Sequence, residues 1–274
     1  MTKSDQLRVR DSRKLNRLAG ARRAETLPSP ELEGYAPEHV SFAGRAWSMK
    51  AEEEYRSASV FSEIVAGLIT LPAPLDVLSA LSRVVADELF HATLCSDLAQ
   101  QFRAPAPVAS LERVRLRLDM QGTDRVRQAL ALLLFEGAVG ETISAALFHA
   151  GRKGTREPCT RAALQMILRD ESRHAHVCWR ACAELSPSWS PETRAALSED
   201  LRRSFAAFEQ GAALPILRRL EAGETVPPLL VELGVLPLEH RIETFYRSIE
   251  RVVIPRLTGL GFDGAHAWAQ RYRG

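Results

Sequence analysis

The sequence feature that most constrains the fold is a short motif, Asp-Glu-x-x-His-Ala, which occurs twice. One copy spans residues 87–92 and the other spans residues 170–175. A Glu and a His three positions apart lie on one face of an α-helix, one turn from each other, so they can bind a single metal ion together. One such pair is weak evidence for a metal site. Two copies in one chain favour a site built between two helices.

A second repeat stands upstream of each copy of this motif. Residues 54–61 and 141–148 both follow the pattern Glu-x-x-Ser-Ala-small-aliphatic-Phe. Each half of the chain is therefore predicted to be a helix with one Glu, a turn, and a helix with Glu-x-x-His. Together the halves supply four carboxylates and two imidazoles, which is the ligand set of a di-iron carboxylate site in a four-helix bundle.

On these motifs the chain resembles the ferritin-like superfamily over residues 37–186, and residues 170–174 are similar to the Asp-Glu-x-Arg-His motif of its oxygen-activating branch. The resemblance implies two bound iron ions, or iron with manganese, and O2 as a co-substrate. The metal ligands that it implies are Glu54, Glu88, His91, Glu141, Glu171 and His174. It further implies that Asp87 and Asp170 hold the opposite imidazoles in their metal-binding tautomer, with Arg173 steadying an Asp.

Two of these ligands have neighbours of the same chemistry. Glu54 adjoins Glu52 and Glu53, but only Glu54 shares the Ser-Ala-small-aliphatic-Phe continuation. Glu141 competes with Glu136, and the same repeat favours Glu141. Glu136 is then a supporting acid, or an extra carboxylate that shifts onto iron.

Other candidate ligands have simpler explanations. His176 is two residues from His174 and faces roughly the opposite way, so we expect it at the surface or behind the site. His149 is expected to make a core or inter-helix polar contact. Cys95 and Cys178 lie two turns beyond the Glu of their motifs and are expected to pack in the core.

The segment 129–150 is apolar nearly all round, which is typical of a buried helix, yet it contains two carboxylates, Glu136 and Glu141. An unpaired carboxylate in such surroundings costs several kcal/mol, so these groups must be protonated, paired or metal-bound. A metal explains them best.

Composition limits the class of protein. The 274 residues are 46% hydrophobic and 26% charged, with a net charge of +2, as expected for a soluble globular chain without a general attraction to nucleic acid or membrane. The four cysteines form no Cys-x-x-Cys pair, which argues against a zinc site or an appended rubredoxin. No uninterrupted apolar run of membrane-spanning length and no signal sequence is present, so we expect a cytoplasmic protein.

The predicted fold class is all-α, a ferritin-like four-helix bundle with additional C-terminal helices. Residues 1–34 form a basic arm, residues 35–187 the bundle, and residues 188–274 a helical extension packed on it. The long helices are expected over about 37–71, 75–103, 122–154, 156–185, 190–221 and 238–257, the last with a kink at Pro255, and a short helix over 108–120. RNA is an alternative ligand of the basic arm, but a solvated or docked tail is favoured because aromatic stacking residues are absent.

The function expected from these features is that of an O2-dependent non-haem di-iron oxygenase or oxidase. It would hydroxylate or N-oxygenate a small organic metabolite, with electrons from an external donor such as a reductase or ferredoxin. The cover of C-terminal helices favours this function over ferroxidase or rubrerythrin-like peroxide scavenging. A third alternative is a non-enzymatic, metal-stabilised interaction bundle, and a homodimer is compatible with each. The aminoarene N-oxygenases resemble this chain in class, but they use an extra His four residues before the last Glu, where this chain has Ile167. Their specific activity is therefore not expected here.

Overall fold

The computed structural model describes residues 27–71, 73–104 and 125–272, and about 82% of these residues are helical with no strand among them. The prediction of an all-α fold is therefore confirmed. The helices found in these ranges are α1 (Pro37–Leu68), α2 (Leu75–Gln101), α3 (Arg125–Gly154), α4 (Pro158–Leu185), α5 (Pro191–Phe208, continuing to Glu221), α6 (Pro228–Glu232), α7 (Leu238–Ser248, continuing to Gly259) and α8 (Gly264–Ala269).

The helix starts follow from local sequence. Proline stands at the first helical turn of α1, α4 and α5, where its missing N–H costs nothing. The carboxylate of Glu157 caps α4 by accepting hydrogen bonds from Cys159 N and Thr160 N, and the Ser190 hydroxyl caps α5. The predicted short helix over 108–120 and the predicted start of α3 near residue 122 lie outside the described residues.

Two helices contain a π-helical stretch just before an internal proline. In α5 the stretch is Glu209–Ala213, ahead of Pro215, and in α7 it is Ile249–Val253, ahead of Pro255. Proline removes one backbone donor from the helix, and the wider turn accommodates that loss. The irregularity predicted at Pro255 thus takes the form of a π-turn, and α7 continues beyond it.

A third π-helical stretch, Leu133–Gly140 in α3, has no proline behind it. It ends immediately before Glu141, so it sets the direction in which that carboxylate leaves the helix. Single π-turns inside α-helices occur often at functional sites.

The first four helices pack against one another around one interior. α1 lies along α2, α3 lies along α4, α2 contacts α4, and α1 contacts the first part of α3. The approach of α1 to α3 is close: a Cβ added at Gly67 would lie 2.4 Å from Ala129 Cβ. Only glycine permits this contact.

The apolar interior is divided into two clusters. One contains Phe61, Ile64 and Leu133 together with residues of α5 and α7, and the other contains Trp47 and Phe102 with the first half of α4. Along α1, α2 and α4 the boundary between the clusters falls at the Glu or the Glu-x-x-His motif, and along α3 it falls within two turns after Glu141. A polar layer therefore separates the two cores.

The C-terminal helices are fastened to this body by apolar and polar contacts. α7 packs on the second half of α3 and on the end of α5, while α8 packs on α5. Glu209, in the π-helical stretch of α5, accepts hydrogen bonds from Tyr246 Oη at 2.7 Å and from Arg271 Nη2 at 3.0 Å, and Arg271 stacks on Trp268. This cluster joins α5, α7 and the end of the chain.

Part of the predicted basic arm belongs to the folded body. Residues 1–26 lie outside the described range, but Leu27 and Leu32 pack against the second core and Glu31 N donates to Glu157 Oε1 at 3.1 Å. The segment 27–34 is therefore docked on the protein.

One helix, α3, passes the length and composition test for a membrane span. In its most apolar 18-residue window, 61% of the residues are buried inside the protein. A core helix of a soluble protein gives the same signal.

Candidate metal centre

Six side chains from four helices converge in the polar layer. α1 contributes one of them, α2 two, α3 one and α4 two, and all have relative exposures of 6% or less. These side chains are Glu54, Glu88, His91, Glu141, Glu171 and His174. The two Glu-x-x-His motifs reach the same point because α2 and α4 pack against each other and each presents its motif toward the partner.

Each imidazole directs its Nδ1 atom at carboxylates from several helices. His91 Nδ1 lies 3.4 Å from Glu54 Oε2 and 3.2 Å from Glu171 Oε1. His174 Nδ1 lies 2.8 Å from Glu88 Oε1 and 3.6 Å from Glu141 Oε2. The centroids of the two rings are 5.6 Å apart. The contacts of one half of the site therefore repeat those of the other half.

The other nitrogen of each imidazole faces the Asp of the opposite motif. His91 Nε2 lies 3.4 Å from Asp170 Oδ2, and His174 Nε2 lies 3.5 Å from Asp87 Oδ2. Arg173 bridges both carboxylates, at 2.7 Å from Asp87 and 3.1 Å from Asp170. An imidazole that donates from Nε2 to a carboxylate keeps the lone pair of Nδ1 free for a metal.

The atoms that face the centre of the cluster lack hydrogen bonds. Some of them are close to one another, but their geometry is not that of a hydrogen bond, and each is buried. These atoms are Glu88 Oε1, His91 Nδ1, Glu141 Oε2, Glu171 Oε1 and His174 Nδ1. Unsatisfied buried polar atoms are costly, and five of them around one point are explained by a shared cation.

The ligand atoms of Glu88, His91, Glu171 and His174 all lie within 4.8 Å of one another. Carboxylate oxygen and imidazole nitrogen are ligands that suit iron and manganese, and no thiolate joins them. The donor set and its orphaned atoms therefore fit a metal, and the chain holds a buried Glu/His cluster that could bind one. The ligand role of each residue stays a prediction.

The electrostatics of the cluster reflect its excess of carboxylates. Burial, together with repulsion from Glu171, raises the pKa of Glu141 to about 8. Burial and the charges of Glu141 and Glu171 also raise the pKa of Glu88 well above its ordinary value. Burial opposes ionisation of Asp87, but His174 and Arg173 outweigh it and lower the pKa of Asp87 to about 2. Binding of a cation would make the deprotonated forms favourable and release protons.

The acidic neighbours of Glu54 and Glu141, and the two further histidines of α3 and α4, lie outside the group of six converging side chains. Glu53 is exposed and Glu52 is half-buried, whereas Glu54 points inward. Glu136 is half-buried and lines the cavity described below. His176 is at the surface, as predicted. His149 is also exposed, so the prediction of a core or inter-helix contact for it is wrong.

The two cysteines near the cluster are fully buried, which confirms the prediction of core packing. Burial, and then the charge of Glu54, raises the pKa of the Cys95 thiol, and burial with the charge of Glu141 does the same for Cys178. Both thiols are therefore protonated and do not compete for a metal.

A cavity of about 600 Å³ opens directly onto the cluster. It lies between α1, α3 and the C-terminal helices, and four of the six converging side chains form part of its wall: Glu54, Glu88, Glu141 and Glu171. The residues on the opposite wall, among them Phe208 and Arg241, carry no motif. Sequence reasoning missed them because they come from separate helices that only the tertiary structure brings together.

Comparisons of the chain with protein-family models, with curated proteins and with solved structures find no match in any of the three.

Proposed function

We propose that this protein is a non-haem di-iron oxidoreductase that uses O2 to hydroxylate or N-oxygenate a small organic metabolite. The observation that carries the proposal is the contact between the buried Glu/His cluster and the 600 Å³ cavity. A cavity of this size suits a small organic ligand. A site that only stored or oxidised iron would not need such a space against its carboxylates.

The six converging side chains would hold the metal ions, and the two Asp residues would keep the imidazoles in the required tautomer. When bound, two iron ions would supply the redox chemistry with O2 that no protein side chain provides. In the overall reaction one oxygen atom enters the substrate and the other leaves as water. The two electrons that this requires would come from an external donor, and the two protons from solvent.

The chain itself contributes position and exclusion of water. Apolar residues on the cavity wall, such as Leu147, Phe148 and Phe208, lie beside the carboxylates of the cluster. They would hold a substrate against the site and keep bulk water from it. The two cysteines near the cluster, Cys95 and Cys178, are buried and protonated, so neither would present a reactive thiolate to the metal ions.

The proposal is tested by titrating metal-free protein with Fe(II) without oxygen, and then by following O2 uptake with an electrode in the presence of a chemical reductant. We expect about two iron ions per chain and reductant-dependent O2 uptake. Glu171→Ala should lose both, because Glu171 contacts both imidazoles. Glu53→Ala, at an exposed position beside Glu54, is the matched control and should keep both.

Three results would contradict the proposal. The first is the absence of bound iron, which would leave a structural bundle. The second is O2 uptake that stops when the added Fe(II) is oxidised, which would indicate iron handling. The third is full iron loading and turnover in Glu171→Ala.

A further inference from the structure

The wall of the cavity opposite the cluster combines apolar surface with positive charge. Its apolar part includes Phe208, Ile216 and Phe245 from α5 and α7. The mouth carries two apolar side chains of α1 that are exposed to solvent, Phe42 at 37% and Met49 at 62%. A ligand for this space needs an apolar body.

Arg241 is the cation of this wall that lacks a counter-charge. It lies in the first turn of α7, is half-buried, and its Nε atom is buried without a hydrogen-bond partner. Among the described residues no carboxylate forms an ion pair with its guanidinium. A buried guanidinium donor without an acceptor is costly, and a bound anion would satisfy it.

The cavity is lined by four other cations, Arg45, Lys50, Arg56 and Arg219, and none of these four has a buried side-chain nitrogen without a hydrogen-bond partner, as Arg241 has. Arg219 already pairs with Glu224, its Nε lying 2.8 Å from Glu224 Oε2. Arg45 is exposed at the mouth and donates to Ser41 Oγ at 2.8 Å. Lys50 Nζ lies 4.8 Å from the centroid of the Phe148 ring in a cation–π contact, and within the described ranges no carboxylate forms an ion pair with it. Lys50 therefore adds to the positive potential that Arg241 creates.

We infer that the cavity binds organic acids, with the carboxylate of the ligand on Arg241 and its apolar body directed toward the Glu/His cluster. The planar fork of a guanidinium matches a carboxylate, and the charge-assisted bond orients the ligand. At the other end of the cavity, Glu54, Glu88, Glu141 and Glu171 would be occupied by the metal ions and offer a ligand carboxylate no charged hydrogen-bond donor, so Arg241 is the group that orients it. The inference deepens the proposed function, on which it rests, by naming the class of substrate.

Three probes of matched size test the inference: octanoate, 1-octanol and octylamine. Their binding to iron-loaded protein without oxygen is measured by isothermal titration calorimetry. We expect octanoate to bind at least about tenfold more tightly than 1-octanol, which is the usual effect of a charged hydrogen bond. Octylamine should bind most weakly of the three, because it meets Arg241 and Lys50.

Variants assign the effect to a residue. Arg241→Gln should lower the affinity for octanoate about tenfold and leave that for 1-octanol unchanged, while Arg241→Lys should retain part of the preference. Arg45→Gln at the mouth is the matched control and should change neither. Gly151→Leu should weaken both ligands, because a Cβ at Gly151 meets no atom within 4 Å and the added side chain would fill the cavity.

Equal binding of octanoate and 1-octanol, binding of neither, or undiminished binding of octanoate to Arg241→Gln would overturn the inference. The last result would place the carboxylate on the metal ions. If Arg241→Gln does not fold, as judged by its circular dichroism, the order of the three probes on the natural protein still decides. Iron content, measured on the same samples, tests the proposed function separately. Protein that binds iron but does not prefer acids would refute only the inference.

Discussion

Two adjacent glutamates in α1 allow a stringent test of the candidate metal centre. Glu54 is 6% exposed and its Oε2 atom lies 3.4 Å from His91 Nδ1, whereas Glu53 is exposed. The substitutions Glu54→Gln and Glu53→Gln remove the same charge from neighbouring positions of the same helix. Only the first removes a group that faces the centre of the cluster.

The size of the effect follows from binding linkage. Free iron at 100 times its dissociation constant stabilises the folded state by about 2.7 kcal/mol, which raises the Tm of a chain of this length by about 5 to 11 °C. If loss of a ligand weakens binding about 100-fold, the same iron concentration stabilises by only about 0.4 kcal/mol. The iron-induced rise in Tm should then fall to about 1 °C in Glu54→Gln and remain full in Glu53→Gln.

The assay is thermal unfolding followed by circular dichroism, with and without Fe(II), in the absence of oxygen. In the metal-free state Glu54→Gln should be as stable as the natural protein or more stable, because it removes one of several buried carboxylates. A full iron-induced rise in Glu54→Gln, or an equal loss in Glu53→Gln, would refute the assignment of the site to these inward-facing side chains.

Three further predictions concern the surroundings of the site and the frame that holds it. Asp87→Asn should weaken iron binding about 10- to 100-fold, measured by competition with a coloured chelator, because the imidazole of His174 loses its orienting acceptor. Gly67→Ala should lower the free energy of unfolding by about 1 to 3 kcal/mol, since its Cβ would meet a methyl carbon of α3 at 2.4 Å, while Gly151→Ala, with open space, should raise it by about 0.5 to 1 kcal/mol in the same denaturant titration. Glu209→Gln should lower the free energy of unfolding by about 1.5 to 3 kcal/mol at neutral pH. Burial opposes ionisation of this carboxyl, but its hydrogen bonds prevail and lower its pKa from 4.5, so the difference from the natural protein should disappear as pH falls through that lowered value. An unchanged chelator competition, an equal response of the two glycines, or a pH-independent difference would each contradict the corresponding argument.

The position of the polar layer relates the site to the stability of the fold. Buried carboxylates and imidazoles interrupt what would otherwise be one apolar interior, and their inward-facing atoms lack hydrogen bonds. Without a metal this layer opposes folding, and the two apolar clusters on either side of it must offset the cost. A bound cation would reverse the sign of the contribution. The metal-free chain should therefore be the less stable form.

Much of the candidate site was predictable from local sequence because its residues lie at helical spacing within short repeats. Glu and His at i and i+3 share a face in any α-helix, and the repeat distinguished Glu54 from Glu53, as their burial in the structure also does. Helix starts at proline and at capping side chains were also readable, because those signals act within one turn. The exposure of His149 was mispredicted. His149 is eight residues after Glu141, and at about 100° per residue the two side chains leave the helix about 80° apart, so the spacing does not place them on one face.

The helical class and the chemistry of the six converging side chains could be read from the amino-acid sequence, because periodicity and repeat spacing are properties of the chain alone. The packing of whole helices was needed to establish how the two halves meet, which imidazole each Asp contacts, and which residues enclose the cavity. These arrangements join positions far apart in the chain: His91 contacts Asp170, and Arg241 faces Glu54 across the cavity. No local pattern encodes such a distance, so the wall that carries Arg241, opposite the Glu/His cluster, could be recognised only in the tertiary structure.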